Sequence, residues 1–497
     1  MQIYRKGMMK MLGNWLPHKE YQTNVVEKLS AIALITPEAV REYKDEISKL
    51  YLLDLDILQP IIAPLYSPIG RKAECQPEIF RSFVLMSSLK YYPDNWVEKL
   101  RNNAVLRTIC GFGDKMPNIA SYYDFINRIY NLNEKPKLRI TERKPTKKYG
   151  KGEKMPPKHP DIVNKLVTKI IEGRRFNNRP ELTLQKIFAD VVVNKSVEIG
   201  IVSHNVDVSG DGTCIETGAS HYGVKTCECK DFRCSCPRRF SDPNATWGWD
   251  SHNACYFYGY TGYFISHYNK NLKLDLPLYL RFVEAKRHDS VSAVVSLAEF
   301  RDLHPNVTIN SFISDSASDN YPTYELLHYW DINAVIALNP KNTGNFTYPP
   351  AISIDDNGTP ICPAGNKMIF NGFCPDRCRF KWRCPRVLKK TVHSDCCDDC
   401  SPSKYGRTVY TKPDWDLRLF TRIPRGSFNW KSTFKQRTAA ERVNNRILTH
   451  YNLKNTHSRG KKRISFFATL NAVNLHLDAW IVSCAKQLDL LFTSIFT

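Results

Sequence analysis

The sequence predicts a mixed α/β protein: a sheet with flanking helices, preceded by an all-helical N-terminal region and interrupted by a cysteine-rich, mostly β insertion. Three observations predict it. Runs rich in aromatic and β-branched residues begin only near residue 201, and helical patterns then alternate with them. Before residue 201 the apolar residues fall at helical spacing. After the last strand pattern come roughly a hundred residues, too many for a simple connection, and they hold Cys362, Cys374, Cys378, Cys384, Cys396, Cys397 and Cys400.

A chain of 497 residues favours two or three domains. A hydrophobic share of 42% and an aromatic share of 12% exclude a disordered chain. Lys and Arg number 71 against 49 Asp and Glu, and the net charge of +22 points to a polyanionic partner, first of all nucleic acid. The start, "MQIYRKGMMKMLGNWLPHKEYQ", has basic residues but no sustained apolar run, so no secretory signal is expected. The expected location is the cytoplasm, with the nucleoid. The most apolar stretch, "ISFFATLNAVNLHLDAWIVSCA", contains His476 and Asp478 and fits an aqueous helix better than a membrane span. Sixteen cysteines inside a cell point to thiols or metal ligands rather than disulfides.

The elements follow in order. Residues 1–134 form the expected helical domain, in which "PEIFRSFVLMSSLKYY", "NWVEKLRNNAVLRTICGF" and "SYYDFINRIYN" read as three short helices. Ser121 and Asp124 suggest a capping box for the third. Such a trio suits either a small DNA-binding module or plain helical support. Residues 135–160 hold ten Lys or Arg, two Glu and five Pro, a composition of a basic linker that either tracks phosphates or is only a solvated hinge. Residues 161–200 read as a helical connector, with apolar pairs at 162/163, 166/167 and 170/171. In residues 201–340, "NVDVSGDGTCIE", "ACYFYGYTGYFISHY" and "LPLYLRFVEA" read as three consecutive strands. Asp289 then caps a helix through "SVSAVVSLAEFRDL", followed by strand "VTINSFISDS", helix "YPTYELLHYW" and strand "INAVIALNP". The insertion, 341–430, includes "YGRTVYTKPDWDLRLFTRIPRGS", which alternates like basic strands. Residues 431–497 return to the α/β domain with a helix carrying Glu441.

Three carboxylates fall at informative places. Asp211 is expected to end the first strand, Asp315 to end the fourth, and Glu441 to sit on the helix after the fifth. Side chains beyond strand ends meet ligands without burying charge. If strands one and four are neighbours, the two aspartates meet, and three converging carboxylates need cations to offset their repulsion. Magnesium or manganese fits. Asp207 competes with Asp211, and Asp319 with Asp315. Glu441 has an ordinary alternative as the partner of Arg437 in an i to i+4 salt bridge.

The element order resembles a ribonuclease H-like core, and the acidic segments resemble the DDE transposases of bacterial insertion sequences. "DGT" around Asp211 looks like that family's first-Asp motif and "ISDSASDN" like its second. The third motif runs Tyr, two residues, Arg, three residues, Glu, six residues, Lys. Here Phe434, Arg437 and Glu441 match, while Phe434 replaces the tyrosine and Leu448 the lysine. Lys454 and Lys461 are the cations left to take that last place. "RRFSDPNATWGWD" and "FYGYTGY" also resemble the family between strands one and two. The likeness is loose over residues 70–130 and closer over 205–480. It implies a catalytic set of Asp211, Asp315 and Glu441 holding two Mg2+ or Mn2+ ions. It further implies double-stranded DNA as partner, contacted by Arg437, Arg442, Arg446 and Lys454, and a homodimer on that DNA. The activity implied is hydrolysis at transposon ends followed by strand transfer. A catalytically degenerate DNA-binding relative, or a nuclease that cuts without joining, is the alternative.

The cysteines form two groups. Cys374, Cys378, Cys397 and Cys400 have spacings compatible with structural zinc, or are reduced thiols of a small β subdomain. Cys227, Cys229, Cys234 and Cys236, in "CECKDFRCSC", pair as C-x-C, which is less typical of zinc.

Overall fold

The computed structural model describes residues 10–113, 116–130, 140–141, 161–174, 181–231, 234–251, 253–340, 353–388, 401–455 and 458–497. All but residues 140–141 of the basic linker, together with Cys396, Cys397 and Cys400, lie outside these residues.

The N-terminal region is helical from α1 (His18–Ile35) through α2 (Gln76–Ser88) to α3 (Ile119–Ile129). Between α2 and α3 the expected single helix divides into Pro93–Arg101 and Ala104–Cys110. Asn103 causes the division, because its side chain accepts the Leu106 amide at 2.9 Å and starts a new helix. The expected capping box at Ser121 is replaced by Asn118, whose side-chain Oδ1 accepts the Ser121 amide at 3.1 Å. Ser121 is already the third helical residue, so its own side chain has no orphan amide ahead of it to cap. Next comes α4 (Ile162–Ile171), which packs Val167 against Val294, Val295 and Leu326.

A six-stranded mixed sheet follows. Its strands are β1 (Asn205–Glu216), β2 (Thr246–Asp250), β3 (Cys255–Asn269), β4 (Leu274–Glu284), β5 (Thr308–Ser314) and β6 (Asn333–Ile336). The central order is β6, β5, β1, β3, with β5 parallel to both β6 and β1 and with β3 antiparallel to β1. On its other edge β3 pairs first with β2 and then with β4, so those two lie in tandem. The crossover helices are α5 (Asp289–Leu303), between β4 and β5, and α6 (Tyr321–Tyr329), between β5 and β6. Asp289 is the first residue of α5 and not its cap. His288 caps instead, its Nδ1 accepting the Ser290 amide at 3.3 Å, which leaves the Asp289 carboxylate to point elsewhere.

The chain closes with α7 (Thr438–Asn445), α8 (Lys461–Ser483) and α9 (Ala485–Phe496). α8 runs through the middle, packing on α2 and on β4, while α9 packs on α1. Phe83 of α2 meets Phe466 of α8 edge-on at 4.8 Å, and both are fully buried; burying one such ring contributes roughly 1.5–3 kcal/mol. Polar ties fix the register: Ser87 donates to Asn471 at 2.6 Å and Asn474 to the Val84 carbonyl at 3.0 Å. His476, in the apolar stretch, is buried and its pKa is pushed down to about 4 by that burial. The neutral ring donates from Nε2 to the Pro277 carbonyl and accepts at Nδ1 from Ser196, both at 2.8 Å. Among the described residues no single helix is long and apolar enough to cross a membrane; α8 and α9 meet that standard only taken together, as a pair bent by 83°.

The insertion builds a small core of its own from Cys362, Met368, Phe380, Trp382 and Phe420, under the antiparallel strands Ile369–Cys374, Arg379–Arg383 and Thr408–Thr411. Beyond Thr411 the expected strand alternation is not found. Asp416 accepts the amides of Arg418 at 2.8 Å and Leu419 at 3.1 Å and turns the chain. Arg418 and Arg425 are thereby buried instead of lining a charged sheet face.

Candidate functional site

Asp211 lies within β1, not at its end, opposite Phe264 of β3. The end that matters belongs to β5, whose pairing with β1 stops at Ser209. From there β1 continues to Glu216 with β3 along one edge and no pairing to β5 along the other. Asp211 therefore sits where that edge opens, two residues beyond Ser209, the last residue paired with β5. Asp315 follows β5 directly, its Oδ1 accepting the Ala317 amide at 3.0 Å as it caps a short 3₁₀ turn.

Side chains alternate across a strand. Asp211 faces α7, where Asn444 donates to its Oδ2 at 3.0 Å. Gly210 and Gly212 face the other way. A side chain at Gly212 would collide with the Asp289 carboxylate, and one at Gly210 with the Tyr263 hydroxyl. The absent side chain at Gly212 thus lets the Asp289 carboxylate, on the first turn of α5, lie against β1.

Electrostatics register the grouping. The Asp211 pKa is pushed up to about 7, first by burial and then by the charges of Asp289, Asp315 and Glu441. Asp289 is pushed up to about 6, again by burial first, with Asp315 adding and His288 opposing. Burial beside Asp289, Asp211 and Asp315 also holds the Tyr263 phenol well above its usual range. Glu441 is half exposed and takes an ion pair from Arg437 at 2.6 Å. Arg437 also lies 5.9 Å from the centroid of Phe434, which stacks on Trp430 at 4.6 Å.

The competing aspartates lie elsewhere. Asp207 accepts from Asn310 at 2.8 Å near the start of β1. Asp319 is buried in a fork with Arg418, at 2.9 and 2.8 Å, and also accepts from Tyr324. Of the other cations, Arg442 grips both Asp275 oxygens, at 2.6 and 2.7 Å, and Arg446 bonds Asp478 at 3.0 Å. Lys454 is exposed, Lys461 pairs with Glu181 at 2.5 Å, and Leu448 packs against the main core.

Sequence reasoning missed Asp289, Asn444 and Tyr263. Asn444 was findable, since it stands three residues after Glu441 and so shares its helix face. Asp289 was visible but read as a cap, because nothing local shows that Gly212 leaves space for it.

Cys374 ends one insertion strand, and Cys378 lies in the turn just before the next, which begins at Arg379. The other cysteine group is drawn tightly together: the thiols of Cys227, Cys229, Cys234 and Cys236 all lie within 4.8 Å of one another. A metal such as zinc fits that quartet by donor type.

No family model matches the chain, and no curated protein matches it. A solved structure with some likeness is a Mos1 transposase paired-end complex with left transposon end, at 9% identity and a TM-score of 0.14, covering 53% of this chain and 77% of that one.

Proposed function

We propose that the protein is a ribonuclease H-like DNA transposase of the DDE type, acting on double-stranded DNA as a homodimer. The observation that carries this reading is that Asp211, at the open edge of β1, is buried and feels the charges of Asp289, Asp315 and Glu441, in a chain of net charge +22. Strand order supports it, since β5 lies parallel and next to β1, as the resemblance requires of strands one and four.

The donor set suits Mg2+ or Mn2+: carboxylate oxygens are hard ligands, and a cation offsets both the burial and the neighbouring charges that raise Asp211. The Asn444 Oδ1 is buried without a hydrogen-bond partner, on the same amide that holds Asp211. Asp211, Asp315 and Glu441 would hold the ions, with Asp289 behind them. Bound divalent ions supply the positive charge that promotes in-line displacement at phosphorus.

The protein's own groups do the rest. Asn444 fixes the Asp211 carboxylate through its 3.0 Å hydrogen bond. Tyr263 stays a neutral phenol and adds no further negative charge. Arg437 restrains Glu441 before DNA arrives and is placed to turn to a phosphate once the carboxylate is otherwise engaged. In the first step water opens the phosphodiester at a transposon end and frees a 3′-hydroxyl; in the second that hydroxyl attacks target DNA.

The Arg437–Glu441 ion pair also favours a second reading, DNA binding without cleavage, in which Glu441 is only a salt-bridge partner. Cleavage of duplexes taken from the DNA on either side of the coding sequence, with Mg2+ or Mn2+, separates the two. Asp211→Asn, Asp315→Asn and Glu441→Gln should each lower cleavage by more than the roughly 100-fold cost of losing a residue behind a metal ligand, with binding in a mobility-shift assay retained. Full cleavage by any variant removes that residue from the set. Binding without cleavage by the unaltered protein establishes the second reading, and cleavage without joining establishes a simple nuclease.

A further inference from the structure

We propose that Cys227, Cys229, Cys234 and Cys236 form a tetrathiolate zinc site that staples the loop between β1 and β2. This inference stands apart from the carboxylate cluster and does not rest on the transposase reading.

The geometry is that of a closed metal site. Sγ separations of 3.0, 3.6 and 3.8 Å join Cys227 to Cys229, Cys227 to Cys234 and Cys229 to Cys236. Four sulfurs at about 2.3 Å from a tetrahedral zinc lie about 3.8 Å from each other. The C-x-C spacing looked unpromising in the sequence because each pair alone is a cramped chelate. The fold resolves this by setting two such pairs face to face, one from each side of a hairpin.

The short strands of the hairpin, joined by Ile140–Thr141 on Arg238–Arg239, are a weak frame for gathering four thiols. Its strands, Val224–Lys225 and Arg238–Arg239, are two residues long, and a pairing that short is marginal in water. Cys229 is exposed, Cys227 and Cys236 are half-buried and Cys234 alone is buried, so apolar burial does not account for all four coming together. The surrounding bonds close the loop around the thiols. Lys225 donates to the carbonyls of Cys229 at 2.9 Å and Asp231 at 2.6 Å, and Thr226 donates to that of Pro237 at 2.7 Å. The Lys225 ammonium also places positive charge beside the thiolates that a metal requires. Soft sulfur donors select zinc over the hard ions that suit the carboxylates.

The staple has something to hold. Just before the hairpin, His221 packs its ring on Trp247 of β2 at 4.7 Å and on Tyr258 of β3 at 6.1 Å. The Arg238 guanidinium reaches the Tyr222 carbonyl at 3.4 Å. Zinc in the hairpin therefore secures the segment that carries the chain from β1 to the edge strand β2.

Elemental analysis of the full-length chain, purified without chelator, tests this. The expected result is about one zinc per chain at this site, lost in a Cys227→Ser, Cys234→Ser double variant and kept in Cys374→Ser, Cys378→Ser. Zinc retained by the hairpin variant, iron in place of zinc, or disulfides among the four cysteines would overturn the proposal. Should the hairpin variant fail to fold, thiol alkylation of the unaltered protein read by mass spectrometry decides. Zinc should shield these four cysteines, and a chelator should expose them and open residues 217–245 to limited proteolysis. Equal labelling with and without zinc would sink the idea.

Discussion

Asp211 binds its proton near neutrality because it is buried and because three other carboxylates share its edge of the sheet. The consequence for stability has a definite sign. Its folded pKa of about 7, and that of about 6 for Asp289, both lie above the unfolded value of about 3.9. Between these limits the native state holds more protons than the unfolded chain, so stability falls as pH rises from about 4 to about 7 and levels off beyond. Melting temperatures of the metal-free protein should show this decline beyond that of Asp211→Asn, which lacks the Asp211 share. Mg2+ or Mn2+ should raise the melting temperature more at pH 7.5 than at pH 5.5. A cation effect independent of pH would show that these carboxylates do not bind the ion. At this scale the acids were legible as residue types. Their company was not: Asp289 can lie against β1 only because Gly212 carries no side chain.

At the scale of elements, the link between the insertion and the sheet is carried by buried charge. Asp319, in the turn after β5, meets Arg418 from the insertion, and Arg425 donates to the hydroxyl of Tyr324 at 3.0 Å. Removing one partner of such a pair leaves the other uncompensated, so Asp319→Ala should cost roughly 3–5 kcal/mol in denaturant unfolding. A loss below about 1 kcal/mol, the range of exposed pairs, would refute the structural role and reopen the competition with Asp315. Most helices and strands of the sheet were readable from apolar spacing, although Asp211 falls inside β1 and not at its end. Their caps were less so, because Asn118 and His288 do the capping where Ser121 and Asp289 had the more familiar pattern. The stretch after Thr411 misled for a related reason: Arg418 and Arg425 look solvent-facing until their buried partners are known.

For the whole molecule, α8 is the common support of the N-terminal helices and the sheet. Trp480 is fully buried on it and donates to Ser196 at 2.7 Å, while Phe466 meets Phe83 from α2. Trp480→Ala and Phe83→Ala should each cost about 3–5 kcal/mol. Because one core is shared, far-UV and near-UV signals should lose stability together. A Phe83→Ala protein in which only the N-terminal helices melt early would show that the two parts fold independently. The sequence by itself determined the helical start, the strand order along the chain, the strong positive charge and the acids worth testing, because periodicity and composition are local properties. Only the tertiary structure decided that Asp211 sits at an opened strand edge, that Asp289 and Asn444 join it, that Arg442 and Arg446 are held by Asp275 and Asp478, and that four hairpin thiols converge. Each of these depends on which residues distant in the chain share a place, and that is set by strand pairing and core packing, which no local pattern encodes.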